Sequence, residues 1–139
     1  MDVHTEAQRS YNMSRIRSTD TKPEIQIRRL CHKLGYRFRL HRKDLPGKPD
    51  LVFPKFKTVI FVNGCFWHRH DCKNGAHLPK SNVEFWQHKL ETNKKRDHSN
   101  WRKLRRDGWN VGVIWECQTQ QPDQAHTRIR SIFGTRKIH

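Results

Sequence analysis

Apolar residues along the chain change period several times, and each change marks an element. Ile25, Ile27, Leu30, Cys31 and Leu34 form an imperfect helical stripe. Thr21 and Glu24 precede it with the spacing of a capping box, Pro23 suits a first helical turn, and Gly35 is a stop signal. From Tyr36 the period falls to two: Tyr36, Phe38 and Leu40 alternate with Arg37, Arg39 and His41, the pattern of a strand with one wet, basic face. After the turn Leu45-Pro46-Gly47-Lys48-Pro49, segments 50–53 and 58–62 flank 54–57 and predict a hairpin, with Gly64 ending its second strand. Ser81 and Glu84 repeat the capping-box spacing and predict a long polar helix carrying Phe85, Leu90, Trp101 and Leu104 as far as Asp107-Gly108. Residues 111–115 read as a buried strand and 122–133 as a closing helix. The order predicts an α/β fold, a small mixed sheet flanked by helices.

The chain has 139 residues, the size of one domain. Its first twenty residues are polar, with Met13 and Ile16 three apart, and read as a short segment lying on something else, ahead of a single domain over 21–139. Lys and Arg number 29 against 13 Asp and Glu, a net charge of +16, which calls for a polyanionic partner. A mean hydropathy of -1.04 raises the question of disorder. Five Trp and seven Phe argue for a folded domain, because burying large rings offsets the entropy of ordering the backbone. No apolar run approaches a membrane span, and the start MDVHTEAQRSYNM lacks a signal-peptide core, so an intracellular, soluble protein is expected. Coating of an anionic membrane is the weaker reading of the charge, which is spread along the chain and interleaved with Trp and His.

Two thiols and two imidazoles crowd into Cys65-Phe66-Trp67-His68-Arg69-His70-Asp71-Cys72, directly after a predicted strand. A tetrahedral zinc site needs four such ligands at about 2.0 to 2.3 Å. Cys65, His70 and Cys72 can wrap around one ion, and Cys117 is the natural fourth ligand if strand 111–115 lies beside strand 58–62. His68, His77 and Asp71 are rival ligands, and packed free thiols are the plain alternative. Cys31, on the apolar side of the first helix, reads as core.

Acidic residues stand out in so basic a chain. Asp50 follows Pro49 at a strand start, and Glu24 opens the first helix. Magnesium takes oxygen ligands and keeps several waters, so one or two carboxylates with a backbone carbonyl and substrate phosphates suffice. For Asp50 the plain alternative is a turn cap; for Glu24 the capping box is explanation enough. His68 has an imidazole that titrates near neutrality, suited to a general base or acid.

These blocks together resemble the very-short-patch repair DNA mismatch endonucleases. The resemblance rests on residues 61–72, on Leu45-Pro46-Gly47-Lys48-Pro49-Asp50, on Glu84-Phe85-Trp86 and on Trp115-Glu116-Cys117. The N-terminal pattern of Arg9, Ser10, Met13 and Ile16, then Asp20, Thr21 and Glu24, fits too, so the likeness covers roughly residues 9–117. It implies a restriction-endonuclease-like core, a structural zinc on Cys65, His70, Cys72 and Cys117, and magnesium-dependent nicking beside the thymine of a T:G mismatch. It further implies Asp50 as the magnesium-binding carboxylate, Val62 as a magnesium ligand through its backbone carbonyl, His68 as the catalytic histidine and Glu24 as an accessory acid. Phe66, Trp67 and Trp86 become wedges into the base stack, with Met13 and Ile16 approaching from the opposite groove. One departure is evident: the best-known members carry Thr-His where this chain has Val62-Asn63, and an amide cannot act as a base or become a cation.

Apolar wedges unstack base steps, and a mismatch lowers that cost. Trp86 fits ordinary helix packing equally well, while Trp101, Trp109 and Trp115 read as core. The charged run 93–106 reads as a solvated face able to line phosphates. The partner is expected to be double-stranded DNA bound by a monomer in the bacterial cytoplasm, at the nucleoid, with a mismatch-repair protein as a further partner. The rival function is a zinc module that recognises distorted DNA without cutting it; Asp50 with His68 favours the enzyme, because a binder needs neither.

Overall fold

The computed structural model describes residues 21–40, 42–65 and 80–134. Along them run helix α1 (Lys22–Lys33), strands β1 (Arg39–Leu40) and β2 (Leu51–Phe53), a 3₁₀ turn (Pro54–Phe56), strand β3 (Thr58–Asn63), helix α2 (Val83–Arg106), strand β4 (Asn110–Trp115) and helices α3 (Glu116–Thr119) and α4 (Pro122–Phe133). The segment 1–20, with Met13 and Ile16, lies outside the described residues.

Helix α1 starts as its sequence predicts. Thr21 is the N-cap, its hydroxyl accepts from the Glu24 N–H at 3.4 Å, and Pro23 lies in the first turn. The helix stops where Gly35 takes a positive φ of 94°, and the Tyr36 N–H returns to the Cys31 carbonyl at 3.0 Å. Strands β2 and β3 form the expected antiparallel hairpin, with Leu51 opposite Ile60 and Phe53 opposite Thr58. Strand β4 then joins β3 in parallel, reached through α2, and the sheet order is β1-β2-β3-β4.

Both faces of this sheet are covered. Leu51, Phe53, Ile60 and Ile114 pack on Ile27 and Cys31 of α1 and on Ala125, Ile129, Ile132 and Phe133 of α4. Val52, Val59, Phe61 and Val113 pack on Leu104 of α2, with Trp101 and Trp109 at the margin. Burial on two sides explains why β2 is wholly apolar and β3 nearly so rather than alternating. Tyr36 closes the first core by stacking on Phe133 at 3.9 Å between centroids, which ties the exit of α1 to the last turn of α4.

Three local expectations are corrected. Leu40 is exposed in a two-residue edge strand, so the inward alternation ends at Phe38, which packs edge-on to Phe53. Helix α2 begins behind Asn82, not Ser81: Asn82 enters in the left-handed conformation at φ 56° with no side-chain cap, which puts the Ser81 and Glu84 spacing out of register with the helix start. Phe85 is 58% exposed, because α2 projects its first turns beyond the sheet and buries only Leu90 and Leu104. No helix among the described residues is long and apolar enough to cross a membrane.

The tightest approach in the sheet is at Gly112, opposite Ile60 on β3. A Cβ there would lie 2.6 Å from Ile132 of α4. Gly112→Ala is therefore expected to lower stability by about 1 to 3 kcal/mol through overpacking, read as a fall in the denaturant midpoint at unchanged slope.

Candidate active site

Asp50 comes immediately before β2, where the antiparallel ladder with β3 runs out. Its Oδ2 accepts the Val62 N–H at 2.7 Å, so a side chain takes a strand donor beyond the last backbone pair, Leu51 with Ile60. That bond aims the carboxyl at the end of β3. On the neighbouring helix, Glu24 is 2% exposed and lies within hydrogen-bonding reach of Asp50. Thr21 sets the start of α1, and the start of α1 sets the direction in which Glu24 points. Its carboxylate is engaged by Arg28, with Nη2 to Oε2 at 3.0 Å, as well as facing Asp50.

Burial pushes the Asp50 carboxyl up, to about 8, and the Glu24 carboxylate adds to the rise. The Val62 N–H and the Arg28 guanidinium oppose it. A buried and a partly buried carboxyl group side by side are costly to retain for stability alone. Their chemistry is that of hard oxygen donors, the set that magnesium takes. Asp50 and Glu24 thus fit a divalent ion, and Val62 is tied to Asp50 through its N–H.

The second expected cluster is partly in view. Asn63 pairs with Trp115 at the ends of the parallel strands, so Cys65 and Cys117 each follow that pair by two residues. The Cys117 N–H points to Cys65 Sγ at 3.4 Å. The sequence condition on Cys117, that its strand lie beside 58–62, is therefore met. His70 and Cys72, with the rivals His68, His77 and Asp71, lie outside the described residues, as do Phe66 and Trp67. Among the described residues no group of three or more His, Cys, Asp or Glu gathers. Cys31 is core, with its thiol pushed up to about 12 by burial, and is inert.

Asn63 is 4% exposed, and its Nδ2 has no hydrogen-bond partner among the described residues. On α2, Trp86 is half-buried and sits edge-on to the exposed Phe85 at 5.3 Å, with Lys89 Nζ 5.6 Å from the Trp86 centroid and 5.9 Å from that of Phe85. An aromatic pair flanked by a cation, on a helix with an exposed face rich in Lys and Arg, is suited to nucleic acid. Sequence reading missed Arg28 and Phe85. The i,i+4 spacing of Glu24 and Arg28 was a usable signal; nothing in the periodicity revealed that Phe85 lies beyond the sheet.

The family described as DNA mismatch endonuclease Vsr matches residues 1–74. A "Type II nicking enzyme V.XorIIP" of Xanthomonas oryzae pv. oryzae is 48% identical over 125 residues, 90% of this chain and 91% of that protein. The "Type II nicking enzyme V.NmeAIP" of Neisseria meningitidis is 40% identical over 131 residues, 94% of this chain and 93% of its own length. The "DNA mismatch endonuclease Vsr" of Escherichia coli K12 is 40% identical over 116 residues, covering 84% of this chain and 74% of that protein.

The raised carboxyl at Asp50 has a consequence for stability. Its folded value of about 8 lies above the ordinary carboxylate value, so the native state holds a proton that the unfolded chain releases. That contribution is complete in acid and is lost as pH rises through about 8. In the absence of divalent ions, melting temperature should fall between about pH 4 and 8, the window between the ordinary and the raised value, and level off above it. Asp50→Asn, which cannot ionise, should flatten the profile; an unchanged slope in that variant would assign the effect elsewhere.

Proposed function

The chain belongs to the DNA mismatch endonuclease Vsr family, and from that premise we propose that it nicks one strand of double-stranded DNA beside the thymine of a T:G mismatch, with magnesium at Asp50. As a member it is a mismatch-specific nicking endonuclease, a phosphodiester hydrolase acting on DNA. The observation that carries the finer reading is the pairing of partly buried Asp50 with buried Glu24 at the end of β3. A module that only bound DNA would have no use for two neighbouring acids held away from solvent, since carboxylates repel phosphate.

Asp50 and the Val62 carbonyl are the proposed holders of magnesium, with Glu24 as an accessory acid. The ion, when bound, supplies charge neutralisation at the cleaved phosphodiester. The Val62 N–H anchors one oxygen of Asp50 and leaves the other for the ion. His68 is the proposed general base or acid: water attacks phosphorus, the imidazole moves a proton, and the bond to the 3′-oxygen breaks to leave a 5′-phosphate. Asn63 offers an amide where the best-known members offer an imidazole, so at that place hydrogen bonding is available and proton transfer is not.

Zinc is assigned to Cys65, His70, Cys72 and Cys117 as a structural ion, supported by the approach of the Cys117 N–H to Cys65 Sγ. Phe66, Trp67 and Trp86 are the proposed wedges, joined by Met13 and Ile16 from the other groove. The exposed Phe85 and Lys89 beside Trp86 support an aromatic contact at that end of α2. One copy suffices, since a nick at an asymmetric mismatch needs no two-fold symmetry.

With Mg²⁺, the protein should nick a duplex carrying one T:G pair and leave the matched T:A duplex intact. Asp50→Asn should slow nicking by about a hundredfold or more, the loss expected when several kcal/mol of charge stabilisation goes, while DNA affinity holds or rises. A variant that nicks at the parent rate would remove Asp50 from the chemistry. Metal analysis should return about one zinc per chain, and Cys117→Ser should lose it together with much of the folded signal. Full zinc retention there would release Cys117 from the site.

A further inference from the structure

Arg28 has no part in the reaction as described above, yet it is built into the acid pair. It lies one turn along α1 from Glu24, with Nη2 3.0 Å from Oε2, and its side chain is 16% exposed against 2% for Glu24. An exposed pair at this spacing contributes little to a helix. Burial changes the balance, because desolvating both charges costs more than the helix gains unless the geometry serves something else. Arg28, Glu24, Asp50 and the Val62 N–H therefore form one line of charged and polar contacts running from α1 to β3.

We propose that Arg28 is a positioning residue for the cleavage: by clamping Glu24 Oε2 it holds the Glu24 carboxylate beside Asp50, so that a divalent cation meets a preset pair of acids. Glutamate has three rotatable side-chain bonds, and two neighbouring carboxylates repel, so without the clamp Glu24 is free to turn from Asp50. Guanidinium suits the task better than ammonium, because it is planar, always charged and reaches Oε2 through one directed N–H. The inference rests on the assignment of magnesium to Asp50. It makes the positive charge next to a cation site a source of order, whereas simple repulsion predicts that removing Arg28 would tighten metal binding.

The test uses Mg²⁺ alone as probe and two readouts on the full chain: the Mg²⁺-dependent rise in melting temperature without DNA, and the Mg²⁺ concentration for half-maximal nicking of the T:G duplex. Arg28→Met should move both midpoints about tenfold higher, equal to about 1.4 kcal/mol. The rate at saturating Mg²⁺ should stay within about threefold, since Arg28 touches no reacting atom. Arg28→Lys should fall between the parent and Arg28→Met. If the clamp acts through Glu24, the double variant Glu24→Gln with Arg28→Met should bind Mg²⁺ no more weakly than Glu24→Gln alone. That pair removes both buried charges together, so the comparison stands even if Arg28→Met folds poorly. A parent-like or tighter Mg²⁺ midpoint in Arg28→Met, or in Arg28→Lys and the double variant where Arg28→Met does not fold, would overturn the proposal, as would a further full loss in the Glu24→Gln background. Parent protein indifferent to Mg²⁺, with Asp50→Asn nicking normally, would instead overturn the metal assignment, and the Arg28 proposal with it.

Discussion

Six residue pairs, from Thr58 with Asn110 to Asn63 with Trp115, join β3 and β4 in parallel, and most of the molecule is arranged by that contact. A parallel pair cannot be closed by a tight turn, so the chain between the strands must cross over the sheet, and α2 does so. The sheet is then covered on both faces, by α1 and α4 on one side and α2 on the other. Both strands also end at the same level, so whatever follows Asn63 and Trp115 meets at one edge. Cys65 and Cys117, fifty-two positions apart, become neighbours for that reason.

The acid site hangs on the same strand from its other neighbour. β2 pairs with β3 only as far as Leu51, and Asp50 satisfies the Val62 N–H just beyond. The expected magnesium and zinc groups therefore start from one strand end, Val62 within β3 and Cys65 two residues past its last residue. A shift of β3 by one residue would disturb both, because successive side chains alternate between faces. Burial of β3 on both faces is what holds that register.

Charge is divided between two regions with opposite tasks. The exposed basic face of α2 offers cations to a polyanion and can do so loosely, as solvated phosphate contacts tolerate mobile side chains. Glu24 is buried and Asp50 partly so, and there a like charge costs more and position matters more. Arg28 links the two regimes: a basic residue of the abundant kind, removed from solvent and set against an acid.

Much of this was legible in the residues. The capped start of α1, the 50–62 hairpin, the crossover helix and the span of α4 all follow from local periodicity and turn chemistry, which act over a few neighbours and so are written in short stretches of chain. Asp50 and Glu24 were visible as acids at element starts, although the capping box alone accounted for Glu24. What the tertiary structure decided was proximity. Glu24 faces Asp50, and Cys117 approaches Cys65, because helices and strands distant in sequence pack on one sheet. Phe85 and Leu40 show the same limit from the other side, since an apolar residue in the right period is still exposed when its element outruns the surface it packs on. Periodicity specifies which face of an element is apolar, whereas only packing determines whether anything lies against that face.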